Sequence, residues 1–219
     1  MGAIIFDLDG VLTDTERLQY EAYAQVLRDF GVSITVEEYA RHWIAVGRGP
    51  EYAVRNYRLP IDAPALRALK APVYHDSLRR RARLMPGAVE ALTRLRGHFV
   101  LGLATNSNRT DVGFVMDHFS LRGFFGCIIT REDYADPKPN PDAYLAAAAA
   151  LGVPAAACLV VEDTQRGIAA AHRAGAVAVA VPNIYTRAND FTLAAAILGS
   201  LDELTVALAD SLLSGRAGR

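Results

Sequence analysis

The sequence predicts a doubly wound α/β sandwich with an all-helical segment inserted directly after its first strand. Three observations carry this expectation. From residue 86 onward short apolar runs alternate with stretches of helical spacing; a matching apolar run, AIIF at 3–6, opens the chain; and residues 15 to about 82 contain no comparable β-branched run. Strands buried on both faces by crossover helices read as near-continuous hydrophobic runs, which is the signature of a parallel sheet.

Taken in order, AIIF (3–6) is the first strand, and it ends in the acidic stretch DLDGVLTDTE (7–16). Three segments of helical spacing follow: ERLQYEAYAQVLRDFG (16–31), TVEEYARHWIAVG (35–47) and APALRALKAPVYHDSLRRRARL (63–84). Gly31, the GRGP turn (47–50) and LPIDAP (59–64) separate them. Residues 15–82 are therefore expected to form a cap domain, residues 1–14 and 83–213 the α/β core, and residues 214–219 a disordered tail. In the core, FVLGLAT (99–105), CIIT (127–130), CLVVED (158–163) and AVAVAV (176–181) have the length of buried strands. The segments between them, PGAVEALTRLRG (86–97), NRTDVGFVMDHF (108–119), PDAYLAAAAALG (141–152) and TQRGIAAAHRAG (164–175), have helical spacing. Each opens on Pro, Asn or Thr, and three close on Gly, as helix caps require.

Composition narrows the function. The 219 residues are 52% hydrophobic, enough for a sizeable core, and the formal net charge of −1 gives no field to steer the chain toward nucleic acid or an acidic membrane surface. A small-molecule partner is expected, with no nucleic acid, membrane or protein partner. Cys127 and Cys158 each open an apolar run and read as buried strand thiols, which fits a reducing compartment. The opening MGAIIFDLDG carries no basic segment and only a short apolar run, so it reads as neither signal peptide nor membrane span, and a cytoplasmic location follows as an expectation.

The acidic stretch raises the central question, because Asp7, Asp9 and Asp14 would repel one another if all were ionised without a counter-charge. Alone, D-x-D-G reads as a strand-ending turn. A calcium-binding loop fails, since its first ligand position would fall on Ile5. Three further segments at strand ends change the reading: LATNSN (103–108), DPKPNPD (136–142) and VVEDTQRGI (160–168). Ligands of open α/β sheets bind outside the carboxyl ends of the strands, where all four segments would converge.

The chemistry that needs this set is phosphoryl transfer through a carboxylate. Asp7 would attack phosphorus; Asp9 would protonate the leaving oxygen and then activate water. A hard divalent cation, Mg²⁺, would be held by Asp7, the backbone carbonyl of Asp9 and Asp163, and would answer the clustered charge. Lys138 and the Thr105 hydroxyl, with backbone N–H groups near Leu8 and Asn106, would neutralise the phosphoryl oxygens.

These four segments, in this order, resemble the four motifs of the haloacid dehalogenase superfamily, and most closely its branch of β-phosphoglucomutases and small sugar-phosphate phosphatases. The resemblance implies Asp7 as nucleophile, Asp9 as acid and base, Thr105 and Lys138 as phosphate ligands, and Asp163 as metal ligand, with Glu162 beside it in the metal site. Dehalogenation is disfavoured, because dehalogenating relatives lack the second aspartate and Asp9 is present. Two cap residues resemble substrate contacts of the mutase type: Arg48 in VGRGPE, and Lys70 in KAPVY. Gln19 departs from that type, which carries histidine at this place. The expected activity is thus a Mg²⁺-dependent phosphatase of a small phosphorylated metabolite, a sugar phosphate by class. A phosphosugar mutase and a non-catalytic phosphometabolite-binding module are the alternatives. Elsewhere, LRRRARL (78–84) reads as a solvated helix face, the five histidines show no paired ligand spacing, and Trp43 and the cap tyrosines read as cap core. The segment VPNIYTRANDF (181–191) resembles a loop in some sugar-bisphosphate phosphatases and receives no role.

Overall fold

A computed structural model describes residues 2–215. Six strands form one parallel sheet: β1 (Ala3–Phe6), β2 (Val100–Ala104), β3 (Cys127–Ile129), β4 (Cys158–Glu162), β5 (Val177–Ala180) and β6 (Ala196–Ile197), in the spatial order β3-β2-β1-β4-β5-β6. The sixth strand is absent from the sequence reading. At two residues, inside FTLAAAILGS, it is too short to form an apolar run and exists only through its pairing with β5.

β1 lies at the centre and is fully buried. Its side chains alternate between two apolar layers, as a two-residue period demands. Ile4 and Phe6 join one layer with α5 (Ala88–Leu95), α6 (Arg109–His118) and α9 (Val206–Ser214); Ala3 and Ile5 join the other with α7 (Asp142–Ala150) and α8 (Gln165–Arg173). Phe6 is level with Leu103 on one side and Val161 on the other. The three central strands therefore run out at nearly the same height, and Asp7, Thr105 and Asp163 follow at one edge. This is also where the strand order reverses.

Between β1 and β2 lie α1 (Thr15–Arg28), α2 (Val36–Tyr39), α3 (Gly49–Asn56) and α4 (Ala63–Arg81), packed round their own apolar cluster of Tyr23, Leu27, Tyr39, Trp43 and Leu66. Asp62 caps α4, its side chain accepting from the Ala65 N–H at 2.8 Å. The two connections to the sheet run side by side: Asp14 N–H donates to the Arg83 carbonyl and Met85 N–H to the Leu12 carbonyl, both at 2.9 Å. The expected single helix over 35–47 is instead α2 followed by a π-helical stretch, Ala40–Ala45. The wider turn buries Trp43 and Ile44 together and brings both to the cleft described below. The tail expectation needs correction at its start: Ser214 ends α9 and Gly215 follows it, while residues 216–219 lie outside the described residues. Both cysteines are free, Cys158 buried and Cys127 partly so. Among the described residues no helix is long and apolar enough to cross a membrane.

Candidate active site

A cleft of about 230 Å³ opens at the carboxyl edge of the sheet, with the α1–α4 segment as its opposite wall. Asp7 leaves β1 with its N–H still bonded to the Val161 carbonyl at 3.0 Å, so its position is that of the strand itself. Gly10 then turns the chain at φ 81°, and a Cβ there would run into the Asp163 carboxylate. Only glycine permits both.

Lys138 is buried at the base of the cleft. Its ammonium donates to Asp7 Oδ1 at 2.5 Å, Glu162 Oε1 at 2.8 Å and the Ala104 carbonyl at 2.9 Å, which uses all three protons. The two carboxylates share this cation unequally. Glu162 Oε1 also accepts from the Tyr144 hydroxyl at 2.7 Å, while Oε2 accepts from the backbone N–H of Asp163 and Thr164 and from the Thr164 hydroxyl at 3.0–3.1 Å. Burial opposes ionisation of Glu162, but Lys138 and these donors outweigh it and hold its carboxyl below the usual range. Among the described residues the Asp7 carboxylate has only Lys138 as a hydrogen-bond donor. Burial, with Glu162 and Asp9 nearby, leaves its carboxyl well above the usual range despite the lysine. The Lys138 ammonium in turn is held charged: burial works against it, and the two carboxylates overcome that.

Asp163 completes the acidic group. One carboxylate oxygen from each of Asp7, Glu162 and Asp163 lies within 4.8 Å of the others. Asp163 Oδ2 accepts from Asn183 Nδ2 at 2.7 Å, but its Oδ1 is buried with no hydrogen-bond partner among the described residues, and burial together with Glu162 and Asp7 pushes its carboxyl well up. An orphaned buried oxygen, an all-oxygen donor set and two carboxyls destabilised as anions fit a hard divalent cation. Glu162 fits least as a direct ligand, since both of its oxygens are already taken.

Asp9 is held by hydroxyls rather than by a cation. Its Oδ1 accepts from Thr15, and its Oδ2 from Ser107 at 2.5 Å and more weakly from Thr105 at 3.4 Å. Asp14 does not belong to the cluster: it pairs with Arg17 at 2.7 Å at the start of α1. The third carboxylate beside Asp7 is therefore Asp163, brought from 156 positions away by the pairing of β1 with β4. Asn106 lines the cleft, its Oδ1 accepting from the Tyr134 hydroxyl at 2.7 Å and the Lys138 N–H at 3.2 Å.

The two cap residues named from the sequence are elsewhere. Arg48 is exposed at the start of α3 and faces a separate surface depression with His42, Tyr52 and Arg55, not this cleft. Lys70 stands one residue behind the wall: it donates to Gln19, which does line the cleft, and lies 4.3 Å from the Tyr74 ring centre. The structure adds residues the sequence reading left without a role. Ser107 and Thr15 hold Asp9; Asn183 fixes Asp163; Arg166 and Glu16 line the cleft. Burial raises the Glu16 carboxyl to about 7, although the Tyr39 hydroxyl donates to it at 2.5 Å. Ser107 and Arg166 stand inside motifs already recognised, and Asn183 follows a strand end, so the strand-end rule could have found all three. Trp43 lines the cleft as well as the cap core, and its indole N–H is the other buried side-chain group without a partner among the described residues.

The family model for haloacid dehalogenase-like hydrolases matches residues 1–175. Protein CbbY of Rhodobacter capsulatus is 32% identical over 204 residues, spanning 88% of this chain and 90% of that protein. Hexitol phosphatase B of Escherichia coli is 32% identical over 209 residues, spanning 93% and 94%. The crystal structure of CbbY from Rhodobacter sphaeroides in complex with phosphate superposes with a TM-score of 0.81 at 27% identity, covering 96% of this chain and 99% of that one.

Proposed function

The chain belongs to the haloacid dehalogenase-like hydrolases, and from that premise we propose that it is a Mg²⁺-dependent phosphatase of a small phosphorylated metabolite, a sugar phosphate by class. As a phosphoric monoester hydrolase it needs a nucleophile, a proton donor and a means of holding the phosphoryl oxygens. The observation that carries the assignment is the contrast between two carboxylates only two residues apart. Asp7 faces charge, with Lys138 2.5 Å away; Asp9 is cradled by hydroxyls.

In this reading Asp7 attacks phosphorus and forms an aspartyl-phosphate while Asp9 gives its proton to the leaving sugar oxygen. Asp9, now an anion steadied by Thr15 and Ser107, takes a proton from water, and the resulting hydroxide releases inorganic phosphate and restores Asp7. The Thr105 hydroxyl and the Asn106 side of the cleft receive the equatorial oxygens, and the Lys138 ammonium, its protons held by Asp7, Glu162 and the Ala104 carbonyl, offsets their charge from beside Asp7. Glu162 positions Lys138. Asp7, Asp163 and the Asp9 carbonyl would hold the cation, with Mg²⁺ supplying the positive charge that lets Asp7 stay ionised beside Asp163. The α1–α4 segment would act as the cap that excludes water and reads the rest of the substrate.

Gln19 supports hydrolysis over phosphate migration. Where the mutase type places an imidazole, this chain has an amide tied to Lys70. Phosphorus NMR on an unquenched reaction with β-glucose 1-phosphate, with a catalytic amount of glucose 1,6-bisphosphate, should show inorganic phosphate accumulating and no comparable glucose 6-phosphate. Glucose 6-phosphate forming faster than inorganic phosphate would overturn the phosphatase assignment in favour of the mutase.

A further inference from the structure

Among the described residues only two cations line the cleft, Lys138 and Arg166. Lys138 serves the reacting end of the cleft, bonded to Asp7, Glu162 and the Ala104 carbonyl. Arg166, in the first turn of α8, is half-buried and has no carboxylate partner within ion-pair distance among the described residues; its one hydrogen bond runs from the guanidinium to the Lys138 backbone carbonyl. Glu162 is close enough to favour its charge, yet burial prevails and pulls its pKa below the ordinary value. A guanidinium taken partly out of water without a carboxylate in direct contact is costly, and four of its five N–H donors remain uncommitted to any protein acceptor among the described residues.

The opposite wall is shaped to admit it. Gly47, in the turn before α3, has φ 72°, and a Cβ there would collide with the Arg166 guanidinium. The side chain thus reaches from the core to the seam with the α1–α4 segment. One lysine residue separates it from the reacting centre, since Lys138 touches Asp7 with its ammonium and Arg166 with its carbonyl.

We propose that Arg166 is a specificity-determining residue that binds a second oxyanion on the substrate, a phosphate or a carboxylate at the end remote from the transferred phosphoryl group. This rests on the phosphatase assignment and refines it: the preferred substrate carries two anionic ends on a short polyol chain. Arg48, exposed on another surface, does not fill this role in the arrangement seen, and the planar fork of Arg166 suits either oxyanion.

Three non-hydrolysable probes test the inference by calorimetry in Mg²⁺: a polyol monophosphonate, the bisphosphonate of the same chain, and the phosphonate bearing a terminal carboxylate. The native protein should bind one doubly anionic probe about tenfold or more tightly than the monophosphonate, and whichever probe that is identifies the second group. Arg166→Met should erase that margin while weakening the monophosphonate far less, and Arg166→Lys should keep part of it. Absence of any margin in the native protein, or equal weakening of all three probes by Arg166→Met, overturns the inference and leaves Arg166 as a prop for the Lys138 loop. Should Arg166→Met fail to fold, the native ranking and Arg166→Lys decide. Turnover of p-nitrophenyl phosphate judges the underlying assignment separately: no turnover with the margin intact rejects the phosphatase and retains Arg166, and turnover without the margin does the reverse.

Discussion

Asp7→Asn should abolish turnover and, in metal-free protein, raise stability. The balance follows from the distances. Asp7 lies 2.5 Å from the Lys138 ammonium, an attraction of about 6–7 kcal/mol at an effective dielectric near 20. Glu162 and Asp163 each present an oxygen within 4.8 Å of an Asp7 oxygen, and each repulsion is then about 3–4 kcal/mol on the same scale. Two repulsions offset the one attraction, and the remaining contribution is desolvation of the Asp7 carboxylate, several kcal/mol per buried ion, which favours a neutral side chain. Asparagine keeps an oxygen for Lys138, so the expected gain is about 1–3 kcal/mol near pH 7. Its sign has a pH signature. The Asp7 carboxyl is raised in the folded protein, so the native chain loses stability as pH climbs from the ordinary carboxylate range toward that raised value. The advantage of Asn should therefore vanish in acid. Urea denaturation followed by circular dichroism in EDTA, at pH 4 and pH 7, reads both effects. Added Mg²⁺ should stabilise the native protein by about 2.7 kcal/mol at one hundred times its dissociation constant, and the variant by clearly less. An Asn variant less stable than native by more than about 1 kcal/mol in EDTA at pH 7, or an equal response of both to Mg²⁺, would refute the reasoning.

Asp9→Asn should discriminate between leaving groups: kcat/KM for a sugar phosphate should fall by about 10²–10⁴, and the first step with an activated aryl phosphate, followed by single-turnover release of the phenol, should fall far less. Equal losses would remove Asp9 as the acid. Glu16 should impose a second pH slope. With its folded pKa at about 7 against an ordinary 4.5, stability is fully present below pH 4.5 and is lost as pH rises toward 7, by at most about 3 kcal/mol, and less because the carboxyl opens onto the cleft. Glu16→Gln should flatten this part of the profile in urea denaturation, and superimposable profiles would contradict it.

The core fold was legible because its signals are local. AIIF, FVLGLAT, CLVVED and AVAVAV are apolar throughout, since each strand is covered on both faces, and Asn108 and Thr164 announce the helices they cap. The four acidic, hydroxyl and lysine motifs were legible for a related reason: each directly follows a strand or lies in the loop after one. The sequence by itself therefore determined a parallel sheet, one reactive edge and the residue types that meet there. It did not determine which charges face which. Three aspartates close in sequence suggested Asp14 as part of the cluster, yet helix α1 carries it off to Arg17, and strand pairing supplies Asp163 instead. Glu162 read as a metal-site residue, and only its five hydrogen bonds show that its oxygens are taken. Arg48 and Arg166 make the same point from opposite directions, one leaving the cleft and the other entering it. Backbone pattern is a property of neighbours along the chain, whereas the electrostatics of a buried site depend on distances of a few ångströms between residues a hundred or more positions apart, and those are set only when the sheet closes and the helical segment packs over it.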